Sequence, residues 1–141
     1  MPIADIANRM LETYPRTFNV DQALLVRAIE ACTDCAQACT QCADDCLSED
    51  GKLEDMAKCI RLDLDCADVC ATTARILSRQ TEYDANVTRA LLEACVAVCS
   101  SCGDECARHG EHGMEHCAIC AEQCRNCEAA CRELLDTLGT G

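Results

Sequence analysis

The spacing of the cysteines constrains this chain more than any other feature. The first cluster repeats at intervals of three, four, three and four residues, and side chains at these intervals lie on one face of an α-helix. Its members are Cys32, Cys35, Cys39, Cys42 and Cys46. A coiled coil places leucine at such positions. The thiols therefore replace a hydrophobic seam.

The same rhythm recurs in three further segments, one of them sparser than the others. These segments carry Cys59, Cys66 and Cys70; Cys95, Cys99, Cys102 and Cys106; and Cys117, Cys120, Cys124, Cys127 and Cys131. Four stripes predict four helices, and each helix must bury its distinctive face. Four such faces are buried best against each other around a common axis. We therefore predict an all-α fold, an antiparallel four-helix bundle with a cysteine-lined core.

Capping and turn residues set the expected helix boundaries. Residues 3–14 are amphipathic and end at Pro15, which predicts a minor N-terminal helix. The bundle is expected over residues 21–138. Its helices should run from Asn19 or Asp21 to about Ser48, from about Leu53 to Arg79, from about Asp84 to His109, and from the turn at 109–113 to about Leu138. Thr81 is a candidate cap between the second and third, and a Gly-Thr-Gly tail follows the last. Short connections favour antiparallel neighbours, and we expect residues 1–141 to form a single domain.

Charge and hydropathy exclude several classes of function. The formal net charge of -13 provides no basic face for nucleic acid. No stretch approaches the roughly 18 apolar residues needed to span a bilayer, and the N-terminal segment lacks the apolar core of a secretory signal. We therefore expect a cytoplasmic protein with no nucleic-acid or membrane partner, in which the thiols are reduced. The odd number of cysteines, 17, also disfavours a disulfide framework.

The two ends of the predicted core differ in chemistry. Continuing the three-four count past the cysteines reaches apolar residues at one end, here called the leucine end: Leu25, Ala28, Thr73, Leu77, Leu92, Leu134 and Leu138. At the other, here called the histidine end, the count reaches Glu49, Met56, His109 and Gly113, with His112, Met114 and His116 close by. Imidazole and thioether groups bind metals. The histidines indicate either an opening for metal or a polar loop that happens to carry them.

Asp63 occupies the one position of the second stripe where a thiol is missing. A buried carboxylate without partners is costly. Three arrangements would relieve that cost: hydrogen bonds to neighbouring thiols, contact with a bound metal, or a local rotation of the helix that exposes the side chain.

Bulk binding of a soft monovalent ion fits the cysteine pattern best. Thiolates select Cu(I), and one copper per thiolate leaves the buried core neutral, whereas Zn²⁺ with four thiolates carries about two negative charges per site. Zinc knuckles and ferredoxin clusters do not need four continuous stripes, and the ferredoxin run ending in Cys-Pro is absent. An iron–sulfur electron carrier and a zinc or metallothionein-like buffer remain as alternatives. No acid–base pair lies beside a unique nucleophile, so an enzyme is not expected.

These stripes resemble the bacterial copper storage proteins, in particular their cytosolic branch, over nearly the whole chain. The resemblance implies a four-helix bundle, generally assembled as a homotetramer, whose inward cysteines bind many Cu(I) ions. It extends directly to the seventeen cysteines as metal ligands, and more loosely to His109, His112, His116 and Asp63. It also makes a copper chaperone a candidate partner. Apolar residues on both flanks of the second helix, among them Leu62 and Leu64, are compatible with an oligomer contact.

Overall fold

The computed structural model describes residues 3–51 and 53–138, and these residues form α-helices without any strand. The helices are α1 (Ile3–Glu12), α2 (Gln22–Leu47), α3 (Leu53–Leu77), α4 (Ala85–Gly110) and α5 (Glu115–Thr137). The predicted all-α fold with a short N-terminal helix is confirmed. The predicted tail at 139–141 lies outside the described residues.

The four long helices form an antiparallel bundle in which each packs on two neighbours. α2 contacts α3 and α5, and α4 contacts the same two helices from the opposite side. α1 packs against α2 through Ala7 and Leu11. Because the links between the long helices are short, successive helices run in opposite directions. Within the described residues, no helix is both long and apolar enough to cross a membrane.

The caps agree with the sequence at one helix and differ at another. Asp21 caps α2, since its side chain accepts a hydrogen bond from the backbone N–H of Leu24 at 3.0 Å. Asp84 caps α4 in the same way, through Asn86 N–H at 2.8 Å. The prediction that Thr81 is a cap was wrong. Its hydroxyl lies instead 2.9 Å from the hydroxyl of Tyr14, just after α1.

α3 ends at Leu77, two residues earlier than predicted. Backbone N–H groups of Ser78 and Arg79 and two local side chains bond its last carbonyl groups. Ser78 Oγ donates to the carbonyl oxygen of Ala74 at 2.7 Å, and Gln80 Nε2 donates to that of Leu77 at 2.9 Å. The free carbonyls of a helix terminus need such partners.

Both turns at the histidine end contain a glycine with positive φ. Gly51, between α2 and α3, has φ 68°, and Gly113, between α4 and α5, has φ 93°. Residues with a Cβ adopt this conformation only at a cost. The two glycines therefore allow both helix pairs to reverse direction within a few residues, which brings four helix ends together.

The leucine end is closed by hydrocarbon, as predicted. Leu25, Leu92 and Leu134 are at most 1% exposed. Thr73, also buried, donates its hydroxyl to the carbonyl oxygen of Val69 at 2.7 Å, so its own polar group is paired. Leu138 is half-buried against the same cluster. Among the described residues, apolar side chains therefore separate the thiols from solvent at this end.

The apolar flanks of α3 divide into two parts. Ile60, Leu62 and Val69 are half-buried and pack at the edge of the core, whereas Leu64 remains 48% exposed. Packing within one chain thus covers only part of the apolar surface of α3. That surface is the reason for expecting an oligomer contact. That contact remains a prediction.

Candidate metal centre

All seventeen cysteine side chains point into the bundle. Each is a free thiol, and none is more than 1% exposed. The three- and four-residue spacing explains this burial, because it keeps every cysteine of a helix on the face that meets the other three helices. Sulfur therefore fills the bundle axis between the leucine end and the histidine end.

The sulfur atoms form overlapping groups of four within 4.8 Å of one another. These groups include Cys32, Cys95, Cys127 and Cys131; Cys35, Cys66, Cys70 and Cys99; Cys35, Cys39, Cys66 and Cys124; Cys39, Cys102, Cys120 and Cys124; and Cys42, Cys46, Cys59 and Cys117. Because several sulfurs belong to two groups, one thiolate can bridge two ions. The core is thus a continuous array of potential sites and differs from a set of isolated four-ligand cages.

The array begins directly against the leucine end. Sγ of Cys32 lies 3.6 Å from Sγ of Cys127 and 3.7 Å from that of Cys131, and Cys131 lies 3.8 Å from Cys95. Leu92, before Cys95 in the chain, and Leu134, after Cys131, each lie about one helical turn further towards the leucine end. These thiols are the furthest from the histidine end.

Asp63 replaces a thiol in this array and contacts several of the surrounding thiols. Its Oδ1 accepts hydrogen bonds from Sγ of Cys102 at 3.1 Å, and of Cys106 and Cys120 at 3.3 Å. Its Oδ2 lies 3.8 Å from Sγ of Cys59. Of the three arrangements that the sequence left open, the fold shows the hydrogen bonds to thiols and excludes a rotation that exposes the side chain. Contact with a bound metal remains a prediction. The side chain is fully buried and has not rotated out of the core.

Burial raises the pKa of Asp63 to about 8, with the charge of Cys120 and Cys59 acting in the same direction. Desolvation disfavours the carboxylate, and negative charge on nearby sulfur disfavours it further. A cation placed among these sulfurs would remove both penalties. Asp63 is therefore positioned to support a bound metal ion either directly or through the thiolates.

His116 is the histidine whose ring meets sulfur. Its Nδ1 lies 3.4 Å from Sγ of Cys42 and 3.5 Å from Sγ of Cys117. Its Nε2 lies 3.1 Å from Oε1 of Glu49. Cys42 and Cys117 belong to the group of four thiols nearest this end. An imidazole nitrogen thus joins the sulfur array where it approaches solvent.

The other two histidines occupy different surroundings. Nε2 of His109 lies 3.1 Å from Oε2 of Glu105, a buried carboxylate that also accepts from Arg108 at 2.5 Å. Contacts with Cys106 and Cys117 lower the pKa of Cys59, and the nearby His109 acts weakly in the same direction. His112 is exposed and lines a surface depression together with His116 and Met114. Only part of the predicted histidine cluster thus lies against the core.

Burial opposes ionisation of the thiols in the absence of metal, whereas contacts with Cys127 and Cys131 lower the pKa of Cys32 to about 6. Burial is the largest factor that raises the pKa of Cys46, to about 12, and the charge of Cys59 adds to it. A buried thiolate is stable only with a compensating cation. Metal binding must therefore displace thiol protons.

Two acidic residues were not identified from the sequence as partners of the histidines. Glu105 lies four residues before His109 on one helix, so helical spacing could have revealed that pair. Glu49 and His116 are 67 residues apart. Only the packing of α2 against α5 brings them together.

The fold and the sulfur array define an all-α, thiol-lined bundle of the class suited to soft metal ions. Residues 21–136 match the model of the family described as "Csp: Copper storage protein". The chain belongs to this copper storage protein family.

Solved structures support the same relationship. The copper storage protein Ccsp from Streptomyces lividans, loaded with 10 copper equivalents, is 59% identical with a TM-score of 0.91, and the match covers 94% of this chain and 99% of that one. A structure of a cytosolic copper storage protein from the same organism with five coppers is 62% identical, with a TM-score of 0.80, covering 83% and 96%. Metal-free copper storage protein 3 from Bacillus subtilis is 36% identical, with a TM-score of 0.65, covering 77% and 95%.

Proposed function

We propose that this protein stores and sequesters Cu(I), binding many ions through thiolates inside the four-helix bundle. The observation that carries the proposal is the complete burial of seventeen free thiols in one array of overlapping four-sulfur groups. A structural role for cysteine as a small hydrophobe does not require every sulfur to lie within reach of several others. Shared sulfurs instead suit a polynuclear copper–thiolate assembly.

The proposed ligands combine the sulfur array with its few oxygen and nitrogen donors. They are Cys32, Cys35, Cys39, Cys42, Cys46, Cys59, Cys66, Cys70, Cys95, Cys99, Cys102, Cys106, Cys117, Cys120, Cys124, Cys127, Cys131, with Asp63, His109, His112 and His116. Asp63 and His116 are supported by their contacts with sulfur. His109 and His112 are proposed to act at the histidine end, before an ion reaches the core.

Charge balance favours Cu(I) over a divalent ion in this core. Each Cu(I) that replaces a thiol proton leaves the local charge unchanged, so filling the array does not accumulate buried charge. Bridging thiolates reduce the number of sulfurs needed per ion. We therefore expect a capacity on the order of one ion per cysteine.

The wider role follows from this chemistry. We propose a cytoplasmic protein in copper homeostasis and detoxification that works as a single domain without catalytic turnover. A homotetramer is proposed from the resemblance to the copper storage proteins, and the exposed Leu64 on α3 is compatible with a contact between chains. A copper chaperone is a candidate donor.

A titration of the reduced protein tests the storage function. Cu(I) should be added against a competing chelator under anaerobic conditions, and the number of bound ions read by native mass spectrometry. We expect far more than four ions per chain, and saturation at one or two would contradict the proposal. Zn²⁺ that is retained in competition with Cu(I) would support a zinc buffer, and a brown protein after anaerobic purification would support an iron–sulfur carrier.

A further inference from the structure

Glu49 and His116 form a carboxylate–imidazole pair across the histidine end. Oε1 of Glu49, in the turn after α2, lies 3.1 Å from Nε2 of His116 on α5, and the two side chains are 32% and 21% exposed. The opposite edge of the ring faces sulfur, with Nδ1 at 3.4 Å from Sγ of Cys42 and 3.5 Å from Sγ of Cys117. The imidazole is therefore held between a carboxylate and two thiols.

This arrangement selects one tautomer of the ring. An ionised carboxylate can only accept a hydrogen bond, so the neutral imidazole places its proton on Nε2. Nδ1 is then left with a lone pair directed at the gap between Cys42 and Cys117. An outer carboxylate commonly fixes the tautomer and orientation of a metal-binding histidine in this way.

The backbone holds Glu49 in place for this contact. Its N–H donates to the carbonyl oxygen of Cys46 at 3.3 Å, so the turn is anchored to the same helix end that carries Cys42 and Cys46. The pair thus joins the end of α2 to the first turn of α5. Glu105, by contrast, lies on the same helix as His109 and is shared with Arg108.

We propose that Glu49 is a positioning residue for metal uptake, which holds Nδ1 of His116 towards Cys42 and Cys117 so that the first Cu(I) ion finds one nitrogen and two sulfur donors already oriented. The inference rests on the proposed storage function, because it concerns how that array receives its first ion. Glu49 itself need not touch the metal.

The tautomer can be measured without copper. Long-range proton–nitrogen correlation spectra of the reduced, metal-free protein distinguish a ring protonated on Nε2 from one protonated on Nδ1. We expect His116 to be protonated on Nε2 in the wild type and to exchange between tautomers in Glu49→Ala. Glu49→Gln, which keeps an acceptor oxygen, should retain the wild-type tautomer. The same spectrum in wild type and Glu49→Ala would overturn the proposal.

Copper competition gives the functional test. Affinity for the first Cu(I) equivalent should fall roughly 10-fold or more in Glu49→Ala, while Glu49→Gln restores most of it. Asp50→Asn, which removes one charge at the exposed neighbouring position, should match the wild type. Because Glu49 acts through His116, Glu49→Ala should cause no further loss in a His116→Ala background. Additive losses in that double variant, or a loss in Asp50→Asn equal to that in Glu49→Ala, would contradict a positioning role.

The total capacity separates this inference from the storage function. Glu49→Ala, Glu49→Gln and Asp50→Asn should still fill to nearly the wild-type number of ions, because they leave the sulfur array and His116 unchanged. A wild type that binds no copper would overturn the storage function. A wild type that fills normally, with Glu49→Ala indistinguishable from it in first-ion affinity, would overturn only the role of Glu49.

Discussion

Asp63 and Cys102 meet in the core, with Oδ1 of the carboxyl group 3.1 Å from the sulfur. The same oxygen accepts from Cys106 and Cys120, so one acidic side chain on α3 ties together α3, α4 and α5. It lies where the cysteine stripe of α3 has its gap. An aspartate at this position gives the metal-free core a carboxyl group among the thiols.

The stability of the metal-free protein should therefore fall as pH rises. The pKa of Asp63 is raised to about 8 by burial and the charges of Cys120 and Cys59, whereas in the unfolded chain it is about 3.9. Between these values the folded state binds the extra proton. The contribution is fully present below about pH 4 and is lost as pH rises through about 8, for a total on the order of 5 kcal/mol.

Urea unfolding of the reduced protein at several pH values tests this dependence. Asp63→Asn should remove much of the slope between about pH 4 and 8. Asp68→Asn, at an exposed position on the same helix, should retain it. An unchanged slope in Asp63→Asn would mean that other groups control the stability in this window.

Copper uptake should release protons from the core. Burial raises the pKa of Cys46 to about 12, so this thiol is protonated before metal binds at neutral pH. We expect roughly one proton released per Cu(I) bound, measured by titrating weakly buffered protein and following the added base. Far less than this ratio would show that the thiols are already ionised in the metal-free protein.

Cysteines at the two ends of the bundle should affect different stages of copper uptake. Cys42 lies beside His116, whereas Cys131 lies against the leucine end. Each serine substitution should lower the capacity by about one ion. Only Cys42→Ser should slow the first phase of uptake in stopped-flow mixing with a Cu(I) complex. Equal slowing in Cys131→Ser would contradict entry at the histidine end.

The leucine end should govern stability without setting copper capacity. Leu92 and Leu134 are fully buried, and truncating either to alanine should cost about 2–5 kcal/mol of unfolding free energy. Val87→Ala, at a position 56% exposed on the same helix as Leu92, is the matched control and should cost little. Below the unfolding temperature all three should bind the wild-type number of ions. A reduced number in Leu134→Ala would indicate that the closed end also holds metal.

Helical periodicity predicted which side chains face the core, but not their partners across it. The three-four spacing was enough to place every cysteine inside, because one helix face must be buried. It put Asp63 in the same stripe but left open a local rotation that would expose the side chain. The contacts of Asp63 with Cys102 and Cys120 depend on how far α4 and α5 are shifted along their axes. That shift is set by packing and turn geometry between helices and has no signature in a single stripe.

Contacts between distant segments account for the remaining differences. Thr81 has the side chain of a helix cap, yet its hydroxyl contacts Tyr14 beside α1, and Asp84 caps α4. Glu49 lies in a turn, and a carboxylate at a turn normally faces solvent, so nothing in the sequence indicates a partner for it. Its contact with His116 requires the packing of α2 against α5. Local pattern therefore predicted the array, while the arrangement of the histidine end required the fold.

Anomalous scattering from a crystal of the fully copper-loaded protein tests the central claim most directly. Maps calculated from data on both sides of the copper edge would locate each ion. We expect many peaks along the bundle axis, each bonded to cysteine sulfur, from the group around Cys32 and Cys131 to that around Cys42 and Cys117. Peaks confined to the protein surface, or a single occupied site within the bundle, would contradict this expectation.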